Sequence, residues 1–228
     1  MKAFTVVIEG SDGAGKETQA LLLSSALQLM GKRVTTVSFP RYSDTLSGKI
    51  LHYSLGKNVK HVPDFIFADM DPRAASLIYA GDRLESLPHL MKLMQGYDVI
   101  IFDRYIQANL LHQGGKFKND KQRVEFASWL LDLEHDSLGL PKPDLVIYLS
   151  LPWEASEARA KARAQLTGTP MDLVESNKVY LQNSHQAGKF YAKHFDWGVA
   201  DCVQDGRELT REEVSTIVME IVLAKMKL

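Results

Sequence analysis

The stretch Gly10-Ser11-Asp12-Gly13-Ala14-Gly15-Lys16-Glu17-Thr18 leaves this chain little choice of architecture. A short β-branched run at residues 4–8 precedes it, and apolar residues at helical spacing follow over 19–30, stopping at Gly31. Strand, glycine turn and helix in that order let successive backbone N–H groups converge on one anion, with the helix N-terminus adding positive potential. Lys16 completes the pattern G-x-x-x-x-G-K and is placed to reach the β/γ-phosphates of a nucleoside triphosphate. A turn that merely joins strand to helix is the plainer alternative, and both the context and Lys16 argue against it. One residue does not conform. Glu17 stands where a Ser/Thr hydroxyl would hold magnesium, and Thr18 comes one step late.

Strand and helix patterns then alternate to the end. Residues 34–39, 99–102, 145–151 and 197–203 are short apolar runs, the first stopped at Pro40 and the second leading straight into Asp103. Helical spacing covers 47–56, 74–95, 123–135, a segment opening at Pro152, a longer one after Asp172, and 210–227. Pro63, Pro72 and Pro88 read as local punctuation. Short buried strands separated by helices specify a parallel sheet covered on both faces. The expected fold is a three-layer α/β/α of the P-loop NTPase type with five parallel strands, in a single domain over residues 1–228. Ligands of such sheets bind beyond the carboxyl ends of the strands. Those ends are Glu9, Phe39-Pro40-Arg41, Asp103-Arg104 and Leu151, and three of the four carry charge.

Composition narrows the function classes. A formal net charge of −1 gives no support for a general nucleic-acid or membrane binder. The single cysteine, Cys202, excludes an intrachain disulfide and a thiolate metal cluster, and reads as a small buried hydrophobe. No stretch approaches a membrane span and the N-terminal apolar run is too short for a signal peptide, so a cytoplasmic location is expected.

Several side chains cluster with the loop in this reading. Asp103 at a strand end suits an acid near Mg²⁺, or else a helix cap or a partner of Arg104. Arg104 offers a bidentate fork for a phosphate. Tyr79 and Arg83, four apart, share a helix face that suits a base reader, although a core aromatic is the plainer reading of Tyr79. Arg159 and Arg163 share another face in an alanine-rich helix that breaks at Gly168-Thr169-Pro170, giving either a solvated basic face or a mobile lid over about residues 159–175.

Asp103-Arg104-Tyr105-x-x-x-Asn109-x-x-His112-Gln113 resembles the D-R-Y-x-x-S-N-x-x-Y-Q signature of thymidylate kinases. Phe39-Pro40-Arg41-Tyr42, Tyr79-Ala80-Gly81-Asp82-Arg83, Gly139-Leu140-Pro141-Lys142-Pro143-Asp144 and Asp172-x-x-Glu175 agree in order, like bacterial members with lid-borne arginines. The resemblance implies transfer of the ATP γ-phosphoryl to dTMP with Mg²⁺, in a homodimer. It implies that Tyr79 stacks on thymine, that Arg83 and Asn109 read its edge, and that Arg104, Tyr42 and Arg41 hold the acceptor phosphate. Phe39, Pro40, His112 and Gln113 would complete the dTMP site, and residues 10–18 the ATP site. Asp12 would lie near the 3′-hydroxyl and the metal, with Asp103 and Glu175 as further metal ligands. Asp12, Lys16, Arg104, Arg159 and Arg163 would form the catalytic set. Gly13 stands where one subgroup carries a loop arginine, and members without it supply that charge from the lid.

The match has departures. Glu17 replaces the hydroxyl residue and either meets Mg²⁺ or pairs with the lid. His112 replaces a tyrosine held to disfavour a 2′-hydroxyl, and Ala108 a serine. Other readings are a kinase of another acceptor such as dUMP or thymidine, a GTP-dependent switch, or a catalytically dead sensor. A nucleoside acceptor needs a base for its proton, whereas four cationic or hydroxylated side chains here suit a phosphate. The switch lacks N-K-x-D, because Asn177-Lys178 is followed by Val179-Tyr180.

Overall fold

A computed structural model describes residues 2–54, 70–167 and 177–227, without the side chains of Arg163 and Thr167. Five parallel strands form one sheet: β1 (Phe4–Gly10), β2 (Val34–Ser38), β3 (Val99–Asp103), β4 (Leu145–Ser150) and β5 (Gly198–Asp201). Their spatial order is β2-β3-β1-β4-β5. The chain therefore leaves the central β1 to build one side, then returns to build the other. This switch at β1 opens a crevice at the carboxyl ends of the strands.

Alternate side chains of each strand feed two cores. Val6, Ile8, Ile101, Ile147 and Leu149 pack with Leu23 and Leu27 of α1 (Lys16–Leu29) and with Val218 and Val222 of α8 (Arg211–Met226). On the other face, Val7, Ile100, Phe102 and Val146 pack with Leu90 and Met94 of α3 (Pro72–Gly96), Phe126 and Leu130 of α5 (Asp120–Leu131), and Tyr191 of α7 (Lys178–His194). The expected three layers and five parallel strands are both present.

The remaining elements frame the crevice. α2 (Leu46–Ser54) is capped from α3, where Glu85 accepts the Leu46 and Ser47 N–H groups at 2.8 and 2.9 Å. α4 (Gln107–His112) follows β3 directly, and α6 (Trp153–Thr167) follows β4. A small antiparallel hairpin, β6 (Val203–Gln204) with β7 (Arg207–Glu208), joins β5 to α8.

Sequence pattern and structure part at a few places. Pro88 lies inside α3, which continues through it, while Pro72 occupies the first turn as such a proline should. The expected helix over 123–135 starts earlier and turns π-helical at Asp132–Ser137. α4 and the hairpin are too short for periodicity to reveal them. The expected break at Gly168-Thr169-Pro170 lies outside the described residues.

Candidate active site

The glycine loop holds its shape through two left-handed residues, Gly13 at φ 81° and Gly15 at φ 92°, the second capping α1. A Cβ on Gly13 would also meet the Ser156 carbonyl at 3.0 Å, because α6 lies against the loop. The Ser11 and Ser156 hydroxyls, 2.9 Å apart, fasten the two together. A side chain at residue 13 would thus be strained by its backbone and crowded by α6. Lys16 donates to the Gly10 and Ser11 carbonyls at 2.8 and 2.9 Å, with Asp12 3.8 Å away. Burial and the nearby Arg104 charge lower its ammonium to about 8, against the opposing pull of Asp12, Glu9 and Asp103.

Arg104 is the hinge of the site. Its backbone adopts φ 64°, a left-handed conformation that costs a non-glycine residue about 1–2 kcal/mol. The guanidinium reaches Asp12 at 2.5 Å and the His112 Nε2 at 3.3 Å. Burial opposes ionisation of Asp12, but Arg104 and Lys16 overcome it and hold the carboxyl well below the usual range. Burial likewise depresses His112 to about 4, so its ring is neutral and Nε2 is free to accept from Arg104. His112 stacks on Tyr180 with centroids 5.7 Å apart. Asp103 accepts the Ser38 hydroxyl at 3.1 Å and leaves its buried Oδ1 without a hydrogen bond.

Around the loop opens a cavity of about 940 Å³, lined by residues 13–19, Asp103, Arg104, Arg159 and the start of α8. Glu17 and Thr18 are on its wall. Glu17 is exposed and makes no ion pair with the described residues. Arg159 extends over the loop: Nη1 donates to the Gly13 carbonyl at 3.2 Å, while Nε and Nη2 grip Glu208 of the hairpin at 3.0 and 2.8 Å. The side chain of Arg163, and Glu175 altogether, lie outside the described residues.

On the other side of Arg104 the expected acceptor residues gather, with different degrees of freedom. Tyr79 and Tyr42 are half-buried neighbours against Leu51, and Tyr79 senses the charges of Arg104, Asp12 and Arg83. Arg83 is buried and forks onto the equally buried Glu134 of the π-helical turn at 2.5 and 2.6 Å, its Nη1 reaching the Tyr105 carbonyl at 3.3 Å. Asn109 Nδ2 and Gln113 Oε1 are buried polar atoms with no hydrogen-bond partner. Both atoms are thus open to a ligand or to ordered water. Phe39 packs its ring in the core, 5.8 Å from that of Tyr105, and its peptide bond to Pro40 is cis. The Arg41 side chain turns toward Asp44 at 2.7 Å and Ser86 at 3.3 Å, while its N–H donates to Asp82 at 2.9 Å.

Glu134, Ser156 and Glu208 hold functional candidates in place, yet nothing in the sequence singled them out. Each acts on a residue 49 to 145 positions away, beyond any local pattern.

The thymidylate kinase family model matches residues 8–195. A thymidylate kinase of Mycobacterium tuberculosis is 32% identical over 160 residues, 70% of this chain and 72% of that one. A probable thymidylate kinase of Thermococcus gammatolerans is 34% identical over 161 residues, covering 70% and 71%. Among solved structures, the thymidylate kinase of Candida albicans superposes with a TM-score of 0.71 at 24% identity, over 99% of this chain and 93% of that one, which bears on the fold alone. With the loop, the Asp103-Arg104 turn and the matched length all in agreement, this chain belongs to the thymidylate kinase family.

Proposed function

We propose that this chain is an ATP-dependent kinase that transfers a phosphoryl group to dTMP, giving dTDP and ADP. The observation that carries this reading is the Asp12–Arg104 contact. It ties the phosphate loop to the end of β3 and puts a fixed guanidinium between a donor cradle and a set of acceptor-side residues. An acceptor phosphate has its second pKa near about 6, so it is already largely dianionic and needs no general base. Two polyanions must instead be brought in line, which calls for positive charge held in place beforehand.

The residues divide that work. The loop amides of residues 10–18 and Lys16 take the triphosphate, and Arg104 takes the acceptor phosphate with Tyr42 beside it. Arg41 is the least committed member, since its guanidinium is already engaged. Tyr79 offers its face to the base. Asn109 and Gln113 offer unpaired polar atoms to its edges, and Arg83 retains N–H groups beyond those Glu134 and Tyr105 accept. Phe39 with Pro40 shapes the floor from behind, and His112 closes the sugar side. Arg159, with Arg163 of the same helix, supplies charge that Gly13 cannot.

Mg²⁺ is bound through one or two carboxylates and substrate phosphates rather than by an all-protein cage. Among the described residues no cluster of three acidic, histidine or cysteine side chains is built for a metal. The buried free oxygen of Asp103, together with Asp12, fits the sparser mode, and Glu175 would join from the closing segment. When bound, the ion screens and orients the β/γ-phosphates.

We take the chain as one kinase domain with residues 159–175 as its closing segment. Among the described residues no helix is long and apolar enough to cross a membrane. Leu77, Leu84 and Met91, seven apart on α3 and 53%, 41% and 47% exposed, form an apolar stripe suited to a homodimer, which sedimentation velocity would detect. The activity test is direct. With ATP and Mg²⁺, the purified protein should convert dTMP faster than dUMP, UMP, CMP, GMP or thymidine. Absence of ADP with dTMP would remove the assignment, and turnover of thymidine would make it a nucleoside kinase.

A further inference from the structure

Glu9 is the last acidic residue before the glycine loop, and it is wholly buried. It cannot touch a nucleotide. Its Oε1 accepts the backbone N–H of Tyr105 at 2.9 Å, across 96 residues of sequence, and its Oε2 has no hydrogen-bond partner. Tyr105 directly follows Arg104, whose left-handed φ of 64° turns the chain out of β3. At the preceding residue the sheet still provides a partner, since the Arg104 N–H donates to the Ile8 carbonyl at 3.2 Å. One residue later the ladder has ended, and the side chain of Glu9 takes the place of a main-chain carbonyl. A left-handed arginine persists only where its surroundings over-determine it. Along the backbone, the turn is held by the sheet hydrogen bond of Arg104 itself and by the Glu9 carboxyl one residue later.

We propose that Glu9 is a positioning residue for Arg104: by holding the Tyr105 amide it fixes the turn that aims the guanidinium at Asp12 and the acceptor phosphate. The inference rests on the kinase reading above. Glu9 belongs to the strand that feeds the phosphate loop, while Arg104 belongs to the strand that feeds the acceptor side. The contact therefore sets the distance between the two halves of the reaction. What the role requires is an acceptor atom on a buried side chain of this length. A negative charge is not required, and the surroundings disfavour one, since burial pushes this carboxyl up to about 7 despite Tyr105, Lys16 and Arg104.

The experiment is a double-mutant cycle with Glu9→Gln, Glu9→Met, Arg104→Ala and Glu9→Met/Arg104→Ala. Steady-state rates are measured on the nucleoside monophosphate that wild type turns over fastest, beside equilibrium ATP binding. The wild-type rate with dTMP tests the assigned reaction, and the ratios between variants test Glu9, so the two can fail separately. Glu9→Met keeps the volume but removes the acceptor. It should lower kcat/KM for the acceptor by about tenfold or more, with ATP affinity within about twofold of wild type. Glu9→Gln keeps an oxygen for Tyr105 and should stay within about threefold of wild type. In the Arg104→Ala background, Glu9→Met should cost less than about twofold, because the residue it positions is gone. A Glu9→Gln loss as deep as that of Glu9→Met would overturn the proposal, since charge would then be what matters. A Glu9→Met penalty undiminished without Arg104 would overturn it as well. If Glu9→Met does not fold, Glu9→Gln alone decides: a tenfold loss of kcat/KM rejects the role, and near-native turnover supports it.

Discussion

Of the ion pairs that hold arginines proposed for the reaction, Arg83–Glu134 and Arg159–Glu208 could hardly be built more differently. Arg83–Glu134 has both side chains sealed, at 3% and 0% exposure, with two short parallel contacts. Arg159–Glu208 also has two contacts, but both converge on one oxygen, Oε2, and its partners are 35% and 47% exposed on a helix and a two-residue strand. With two hydrogen bonds in each, solvent exposure is the larger difference in what the contacts are worth. Breaking the buried pair strands a charge in a medium that cannot rehydrate it, whereas water and salt replace Glu208 at little cost. The first suits a base reader that must not move. The second suits an arm that exchanges one anion for another as it swings onto a phosphate.

Breaking the sealed pair should give the largest effect. Glu134→Ala should lower unfolding free energy by about 3–5 kcal/mol in denaturant titrations, because Arg83 is left buried and unpaired. A loss under about 1 kcal/mol would mean that water reaches Arg83 and that the two regions are alike after all.

The pH response sharpens the same contrast from inside the buried half. Burial raises Glu9 to about 7 in the folded chain from an ordinary value of 4.5, so the native state binds the extra proton between those limits. Its contribution is complete below about 4.5 and lost as pH rises through about 7. His112, lowered to about 4 from 6.5, works the other way, its stability cost fading as pH rises. The two slopes oppose each other in the wild type. Glu9→Gln removes only the first, so its stability relative to wild type should improve steadily from about pH 4.5 to about 7. A constant difference across that window, measured by chemical denaturation, would show that Glu9 does not titrate there.

The smallest effect belongs to the exposed arm. Glu208→Gln should change stability by less than about 1 kcal/mol and leave ATP affinity within about fivefold of wild type, with any change shrinking in high salt. A loss of several kcal/mol would make Glu208 a structural anchor of the hairpin.

Much of the fold was legible along the chain because its signals are local. Residues 4–8, 99–102 and 145–151 advertise buried strands as short, largely apolar runs, and glycines, Lys16 and the following helix advertise the anion cradle. Asp103-Arg104 could be placed at a strand end by the same means. The register that sets Ile8 beside Asp103 could not, and neither could the partners it creates. Pro88 does not stop α3, which crosses it as the helical spacing over 74–95 implies, with Leu87 and Leu90 packed into the core on either side of it. The π-helical turn that delivers Glu134 has no signature of its own.

The amino-acid sequence by itself determined the parallel sheet, the phosphate loop and the kinds of side chain that would crowd around it. Those follow from periodicity and from what glycine, lysine and proline allow a backbone to do nearby. The tertiary structure alone decided which of those side chains are fixed and which can move. It buried Arg83 against Glu134, left Arg159 in solvent with Glu208, and set Glu9 behind the turn of Arg104. The physical reason is that an ionic or polar contact takes its strength from its surroundings, and surroundings are assembled from residues far apart in the chain.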